Sequence, residues 1–413
     1  MVLLGANFEG KARLPSNPHL DIIPEYMKTL NAPGDLNISR VLRLIWQVKG
    51  ISRIEIAQQL GIDKSTVTKI VTALEEIGIL REFAQGSSGP LGGRKPIQLE
   101  IVPNFAGAVG IEINTDGYFV ILVDLLGQKL ASVRAEIGVT SVFDAFDSAI
   151  KAIAPEIEAI NIPVIGIGIG VPGIVNTGAG SIIQSIPLMI NDEVDFCAWA
   201  TEKYGIPAYI ENDARAGCLS EITIRHGMNL ENALFLLAEI RKITGSTDSR
   251  RNLSAGFGFI LGGQPHYGAD FSSGEFRSIL WAPGNSGQFQ SNDITGERIG
   301  LDMSVTGSVF DELAGHVAML ANVLNLNYVF IGGLSEELSE TLALRIREEI
   351  KIKWPYALAQ NCEVVPASLG TDAVAYGAAG HCLQRFFSLP NIGQPSGNGP
   401  SIKEILSSMK TAD

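Results

Sequence analysis

Long apolar runs are missing from this chain. The densest stretch, 164–175, is twelve residues long and is broken by Gly166, Gly168, Gly170 and Pro172. That is well short of the roughly 18 residues of a membrane span. The N-terminus lacks a basic segment followed by an apolar one, so no secretory signal is expected, and the chain reads as cytoplasmic with no membrane association. Cysteine is scarce: Cys197, Cys218, Cys362 and Cys382 stand far apart, with no CxxC. This spacing speaks against a disulfide framework and a cysteine zinc site, and suits buried thiols in a reducing compartment. Positive charge is also short. The net charge is −13, which taken alone argues against a nucleic-acid partner.

The distribution of charge reverses that for one segment. Residues 37–95 hold nine Lys/Arg against five Asp/Glu, a net of +4, which leaves −17 on the remainder of the 413 residues. A basic module on an acidic body is expected where one small domain meets phosphates. Apolar residues make up 46% and charged residues 18%, ample for packed cores. At about 150 residues per domain, the length suits two or three.

Residues 1–35 carry Pro15, Pro18, Pro24, Pro33 and Gly34 and read as a loose arm with one short helix near 25–30. A helix follows, with Val41, Leu42, Leu44 and Ile45 at helical spacing. Ser52-Arg53-Ile54-Glu55 is a capping-box sequence that opens a second helix with apolar Ile54, Ile56, Ala57 and Leu60. Gly61 ends it, and Asp63 caps a third helix that buries Val67, Ile70, Val71 and Leu74. A weakly alternating stretch, 79–101, surrounds a glycine-rich turn, as in a small hairpin. Three short helices, a tight turn and a hairpin describe a winged helix-turn-helix. Its third helix leaves Lys64, Ser65, Thr66, Thr68 and Lys69 projecting outward. Small hydroxyls beside lysines suit a major groove, because they reach base edges and phosphates without bulk. Arg53 lies at the start of the second helix, and Arg94 and Lys95 on the wing suit phosphates or a minor groove. The expected partner is a double-stranded DNA operator.

From Gly107 the texture changes to short buried strands alternating with helices, an α/β pattern. Apolar runs at 108–113, 119–124 and 164–171 belong to a first set. Runs at 233–237, 256–261 and 328–333 open a second, so a duplicated, two-lobed body is expected. Asn212 and Asp213 follow a strand at its C-terminal edge. There an amide and a carboxylate can grip adjacent hydroxyls of a small molecule, although an ordinary helix cap has the same signature. Glu275, in a glycine-flanked loop of the second half, can close on the same ligand.

Several segments in this order resemble the ROK family of repressors, open reading frames and sugar kinases. They are 51–57 with 92–96, the glycine-rich Gly166-Ile167-Gly168-Ile169-Gly170-Val171-Pro172-Gly173, the Glu211-Asn212-Asp213 segment, Gly274-Glu275, Ile331-Gly332-Gly333 and 375–379. The resemblance covers about 37–387, in the branch of xylose and N-acetylglucosamine repressors. It implies a winged helix-turn-helix followed by an actin-like, hexokinase-like (ribonuclease H-like) α/β body with a sugar in the cleft between lobes. Asn212, Asp213 and Glu275 would hold the ligand, with Glu211 and Gly173 beside them. In a kinase of the family Asp213 would be the catalytic base. Two departures matter. The Asp-x-Gly-Gly-Thr phosphate loop is replaced by Glu112-Ile113-Asn114-Thr115-Asp116, which puts a carboxylate where phosphate would bind. The histidine and cysteine cluster that holds zinc is absent, since Gly274-Glu275 continues Phe276-Arg277-Ser278. No cofactor and no metal are therefore expected, and His226, His266 and His316 read as surface or core residues.

The expected organisation is an arm over 1–35, a winged helix-turn-helix over 36–103, a first lobe over 104–232 and a second over 233–371. A helix closing onto the first lobe follows over 372–390, and a tail over 391–413 includes a short helix at 402–409. The expected function is a sugar-responsive transcriptional regulator, a repressor of carbohydrate-utilisation genes acting as a homodimer or homotetramer and not as an enzyme. The alternatives are an ATP-dependent sugar kinase with an appended DNA-binding domain, or a regulator controlled by a protein partner, with a vestigial cleft.

Overall fold

The computed structural model describes residues 33–85, 97–139, 141–225, 230–242, 251–285, 287–290, 299 and 302–388. The expected short helix of the arm, the wing tip with Arg94 and Lys95, His226 and the C-terminal tail lie outside the described residues.

The head begins with α1 (Pro33–Gln47), where proline suits a first helical turn that needs no N–H. After β1 (Ile51–Ser52), α2 (Arg53–Leu60) opens with the capping box. The Ser52 amide donates to Glu55 Oε2 at 2.8 Å and the Glu55 amide to Ser52 Oγ at 3.4 Å. Gly61 ends the helix in the left-handed region, φ 62°. Asp63 then caps α3 (Lys64–Glu76), accepting from the Ser65 amide at 2.8 Å. Strands β2 (Leu80–Gln85) and β3 (Ile97–Ile101) complete a small sheet in the order β1-β3-β2. Of the apolar residues of α2, Ile54 is exposed, while Ile56 and Ala57 are buried. At about 100° per residue, Ile54 points roughly opposite to Ile56.

The body is one plan used twice. In the first lobe, β4 (Gly107–Ile113), β5 (Gly117–Asp124) and β6 (Lys129–Glu136) form an antiparallel meander. On the other side of β4, β7 (Val164–Val171) and β10 (Ala208–Asn212) run parallel, giving the order β10-β7-β4-β5-β6. Helix α4 (Val142–Ile160) covers one face. Between β7 and β10 lie the hairpin β8 (Ile174–Asn176) and β9 (Ser181–Gln184), then α5 (Phe196–Tyr204). Helix α6 (Asp213–Ile224) leads to the second lobe. There β11 (Asn232–Lys242) pairs antiparallel with β12 (Arg251–Leu261), which pairs with β13 (Gln264–Pro265). Parallel strands β14 (Tyr328–Gly332) and β15 (Glu363–Pro366) extend the other edge, with α7 (Met303–Val323) and α8 (Glu336–Lys353) packed alongside. Among the described residues no helix is long and apolar enough to cross a membrane.

Helix α9 (Ala373–Phe387) returns to the first lobe and packs against α6, β4 and β7. The glycines of β7 are explained by this return. A Cβ on Gly168 would stand 1.9 Å from the Ala378 carbonyl oxygen, and one on Gly377 would stand 1.6 Å from that of Ala216. Backbone therefore rests on backbone, which only glycine permits.

The head is not a separate bead. Val41, Leu42, Ile45 and Ile101 share one apolar cluster with Phe119, Ile121 and Leu125 of the first lobe and with Leu383, Phe386 and Phe387 of α9. Trp46 stacks on Phe387 with ring centroids 4.6 Å apart, and its Nε1 donates to the Leu125 carbonyl at 3.0 Å. At the expected boundary, Pro103-Asn104, the chain makes a 3-10 turn whose Phe105 packs against this continuous core. Trp46→Ala should cost about 3–5 kcal/mol, seen as a lower urea midpoint, and should expose residues 102–106 to protease under native conditions. An unchanged midpoint would show that head and body have independent cores.

Candidate functional site

The outer face of α3 carries Lys64, Ser65, Thr68 and Lys69 exposed and Thr66 half-buried, opposite the buried Val67, Val71 and Leu74. Two hydroxyls are already used locally: Ser65 Oγ donates to Asp63 Oδ1 at 2.6 Å and Thr68 Oγ1 to the Lys64 carbonyl at 2.8 Å. The Ser65 hydroxyl and amide also hold the Asp63 carboxyl below its usual range. Arg53 is held by two carboxylates. It is bound to Glu75 at 2.8 Å and to Glu82 at 2.8 Å, so it ties α2 to α3 and β2.

The cleft is built around α6. Glu211, the penultimate residue of β10, directs Oε1 at Arg215 Nε, 2.7 Å away, with side chains 0% and 2% exposed. The guanidinium also donates to the Val175 carbonyl of β8 at 3.1 Å and to the Phe271 carbonyl of the second lobe at 2.9 Å, and it lies 5.3 Å from the Tyr267 ring. Asn212 is the N-cap of α6: its Oδ1 accepts the Arg215 amide at 3.1 Å, and its Nδ2 donates to the Gly173 carbonyl at 3.1 Å. Gly173 has φ 113°, and a Cβ there would lie 2.4 Å from the Gln184 carbonyl oxygen. Glu211, Asn212 and Gly173, expected at the ligand, therefore hold the strand ends and the helix start in place. Glu211 is fully buried with Oε2 lacking a hydrogen-bond partner, and Asn212 keeps one spare N–H.

The charge of Glu275 is felt at Asp213. The Asp213 carboxyl is pushed up, chiefly by burial and also by the charge of Glu275, while Arg241 and Arg215 oppose the rise. Glu275 is exposed at the mouth, and its carboxyl is likewise raised by partial desolvation against the pull of Arg215. Sequence reasoning missed the groups that face Asp213. Glu239 and Arg241, two apart on β11 and so on one face of the strand, form an ion pair. The Arg241 guanidinium answers Glu239, Asp213, Glu112 and Asp116. The signal was present as Glu-Ile-Arg at a strand end. The long-range partners, like the carbonyls around Arg215, are set only by tertiary structure.

The β4–β5 turn is closed on itself. Asn114 Oδ1 accepts the amides of Asp116 at 3.0 Å and Gly117 at 3.1 Å, while its Nδ2 donates to Glu112 Oε1 at 3.1 Å. Beyond Glu275 the loop is stitched by Gln288, which donates to the Phe276 carbonyl at 2.8 Å, and by Ser278 Oγ, 3.0 Å from His316 Nε2. His316 is a core residue and His266 a surface one. Among the described residues no three His, Cys, Asp or Glu side chains converge as a metal site.

Residues 108–277 match the ROK family model and residues 39–84 the MarR family model. The chain is 28% identical over 249 residues to a putative xylose repressor of Caldicellulosiruptor sp. (strain Rt8B.4), covering 58% of this chain and only 57% of that protein. It is 24% identical to the xylose repressor of Caldicellulosiruptor bescii, over 86% of this chain and 97% of that one. The fold is that of a ROK-family transcriptional regulator described as a homologue of the Escherichia coli Mlc protein: TM-score 0.69, 18% identity, 91% of this chain and 99% of that chain.

Burial lifts the Glu112 carboxyl well above its ordinary value, with Glu239 adding to the rise and Arg241, Arg134 and the Asn114 bond opposing it. The folded state keeps a proton that the unfolded chain releases. The stability linked to Glu112 is thus complete below about pH 4.5 and is lost as the pH rises toward about 8. Glu112→Gln should flatten that part of the melting-temperature profile. Parallel profiles for the two proteins would show that Glu112 does not titrate there.

Proposed function

We propose that this chain, whose body belongs to the ROK family, is a sugar-responsive DNA-binding transcriptional regulator. It represses carbohydrate-utilisation genes in the cytoplasm as a homodimer or homotetramer. The observation that carries this reading is the single apolar core joining the helix-turn-helix to α9, the helix that rests on α6, which leads from the first lobe to the second. A ligand that binds one lobe arrangement better shifts the population toward it. Movement of α9 then reaches α1 directly through the Trp46–Phe387 stack. Two heads per assembly would read two half-sites, and their spacing decides the fit to an operator.

No catalytic role is assigned. Phosphates are bound by free backbone N–H groups in glycine-rich turns, and here the amides of Asp116 and Gly117 are already taken by Asn114. The carboxylates of Asp116, Glu239 and Asp213 around Arg241 would repel a triphosphate. Turnover of ATP with a sugar panel, at rates ordinary for kinases, would overturn this part of the reading. In that case Asp213 would be the base that takes the hydroxyl proton.

Lys69→Ala should weaken operator binding across sequences and flatten the log–log salt dependence by about one unit. Unchanged affinity and slope would remove Lys69 from the interface. Asp213→Asn should weaken sugar binding about ten- to hundredfold, as expected for a lost charged hydrogen bond worth roughly 1.5–3 kcal/mol. Calorimetry reads this directly, and an unaltered affinity would place the sugar elsewhere.

A further inference from the structure

The end of the second lobe away from the cleft carries an apolar surface that no described residue covers. Pro355, Tyr356, Ala357, Leu358 and Ala359 follow one another and are all exposed. Leu358 is 84% and Tyr356 70% exposed, while Val323 of α7 is 75% and Ile352 of α8 74% exposed. These are four of the six most exposed large apolar side chains among the described residues. Hydrogen bonds gather them at one place. Gln360 Nε2 donates to the Ala321 carbonyl at 2.8 Å, which lays the run across the end of α7. Asn322 Nδ2 donates to the Ile350 carbonyl at 3.3 Å, which joins the ends of α7 and α8. Trp354 Nε1 donates to the Leu358 carbonyl at 2.6 Å, and its ring meets Tyr356 edge-on with centroids 5.5 Å apart. The run is thus held in shape with its apolar side chains outward.

Consecutive exposed apolar residues are unfavourable unless something binds them, and large contiguous apolar patches mark interaction sites. The rim shows what kind of partner fits. On α8, Leu344, Glu348, Lys351 and Ile352 are exposed, and their spacing of three or four residues puts them on one face. Neighbouring charges are answered: Glu349 by Lys353 at 2.6 Å, Arg347 by Glu340 at 2.8 Å, and Arg345 by Asp311. Glu348 and Lys351 form no ion pair among the described residues. One free anion and one free cation beside an apolar surface are complementary to a copy of themselves turned about a twofold axis. The two terminal segments leave from α1 and α9, which pack together at the head and first lobe. Neither begins near this end of the second lobe.

We propose that a second copy of this chain docks here, in a twofold pair centred on Tyr356 and Leu358, with Glu348 of one copy opposite Lys351 of the partner subunit. The proposal names the interface of the assembly in the regulator reading above, and its role rests on that reading. An apolar, aromatic centre with a charged rim is the ordinary anatomy of such a contact. Its position leaves the cleft open. Strand β11 starts at Asn232, whose amide donates to Asn327 Oδ1 at 3.0 Å, just past the end of α7. Glu239 of the cleft lies farther along the same strand, roughly 23 Å away at about 3.3 Å per residue. The pair therefore clamps the second lobes together by their far ends. A change of lobe arrangement then moves each first lobe, with its head, against a fixed base. That changes the separation of the two heads, the quantity an operator with two half-sites reads.

The test is sedimentation velocity on the full chain across micromolar concentrations. The unaltered protein should be an assembly, and Tyr356→Glu combined with Leu358→Glu should halve its mass. Self-association should weaken about a hundredfold or more, as for two central anchors of an interface. Both side chains are exposed, so far-ultraviolet dichroism should be unchanged, which separates lost assembly from misfolding. Glu348→Lys and Lys351→Glu should each weaken assembly alone. An equimolar mixture of these two variants should restore it, because each supplies the charge the other has lost. A monomeric unaltered chain would overturn the proposal and favour the chain's own tail or a different protein on this surface. An undiminished mass in the double variant, or no rescue in the mixture, would overturn it and leave the regulator reading standing. Selection from a random-sequence duplex library tests that reading separately: assembly through this surface by a chain that selects no DNA would keep the interface and overturn the regulator.

Discussion

The buried pair of Arg215 and Glu211 is the constraint on which the cleft depends. Two ions withdrawn from water are stable only if every remaining donor is matched, and removing one partner of such a pair costs about 3–5 kcal/mol. Here the guanidinium is matched by Glu211, by the Val175 carbonyl of the first lobe and by the Phe271 carbonyl of the second. The same side chain thus fixes where β10 ends, where α6 begins and how the loop bearing Glu275 lies across the opening. Asp213 is presented at the cleft because its neighbours on either side are locked.

A second constraint is the distance of closest approach along α9. The helix reaches the sheet at Gly110 and Gly168 and reaches α6 through its own Gly377, and at all three side chains would collide with backbone oxygens. A helix seated so closely on β4, β7 and α6 has little freedom to move alone. Rearrangement at the hinge must carry it along, and its last turn, through Phe387, is packed on Trp46 of the head. The head is therefore coupled to the body by close packing, without a flexible tether. Interiors packed in this way respond by discrete shifts and not by gradual deformation.

Much of the head was legible in the sequence because its signals are local. The capping box at Ser52 and Glu55, the Asp63 cap and the Gly61 stop each act within four residues, and each appears as read. The strands of both lobes were equally plain from short apolar runs. An eight-residue helix leaves room for only a narrow buried stripe, so α2 buries Ile56 and Ala57 and leaves the apolar Ile54 exposed. The glycines of β7 were visible, but their cause, a helix arriving from some 200 residues away, was not. Glu211, Asn212 and Gly173 stood out in the sequence because a cap and a sugar site use the same amide and carboxylate chemistry. Their structural partners, Arg215 above all, are set only by tertiary structure. Arg241 and Glu239 escaped notice because their meaning depends on Asp213 and Glu112 facing them from another lobe.

The central claim is that occupancy of the cleft is transmitted through α9 to the DNA-reading head. Hydrogen–deuterium exchange on the full chain, with and without a saturating cleft ligand, tests it most directly. The account predicts that exchange changes together in α6, in α9 and in α1 and α3 of the head. A change confined to the cleft residues, with α9 and the head untouched at full occupancy, would contradict it.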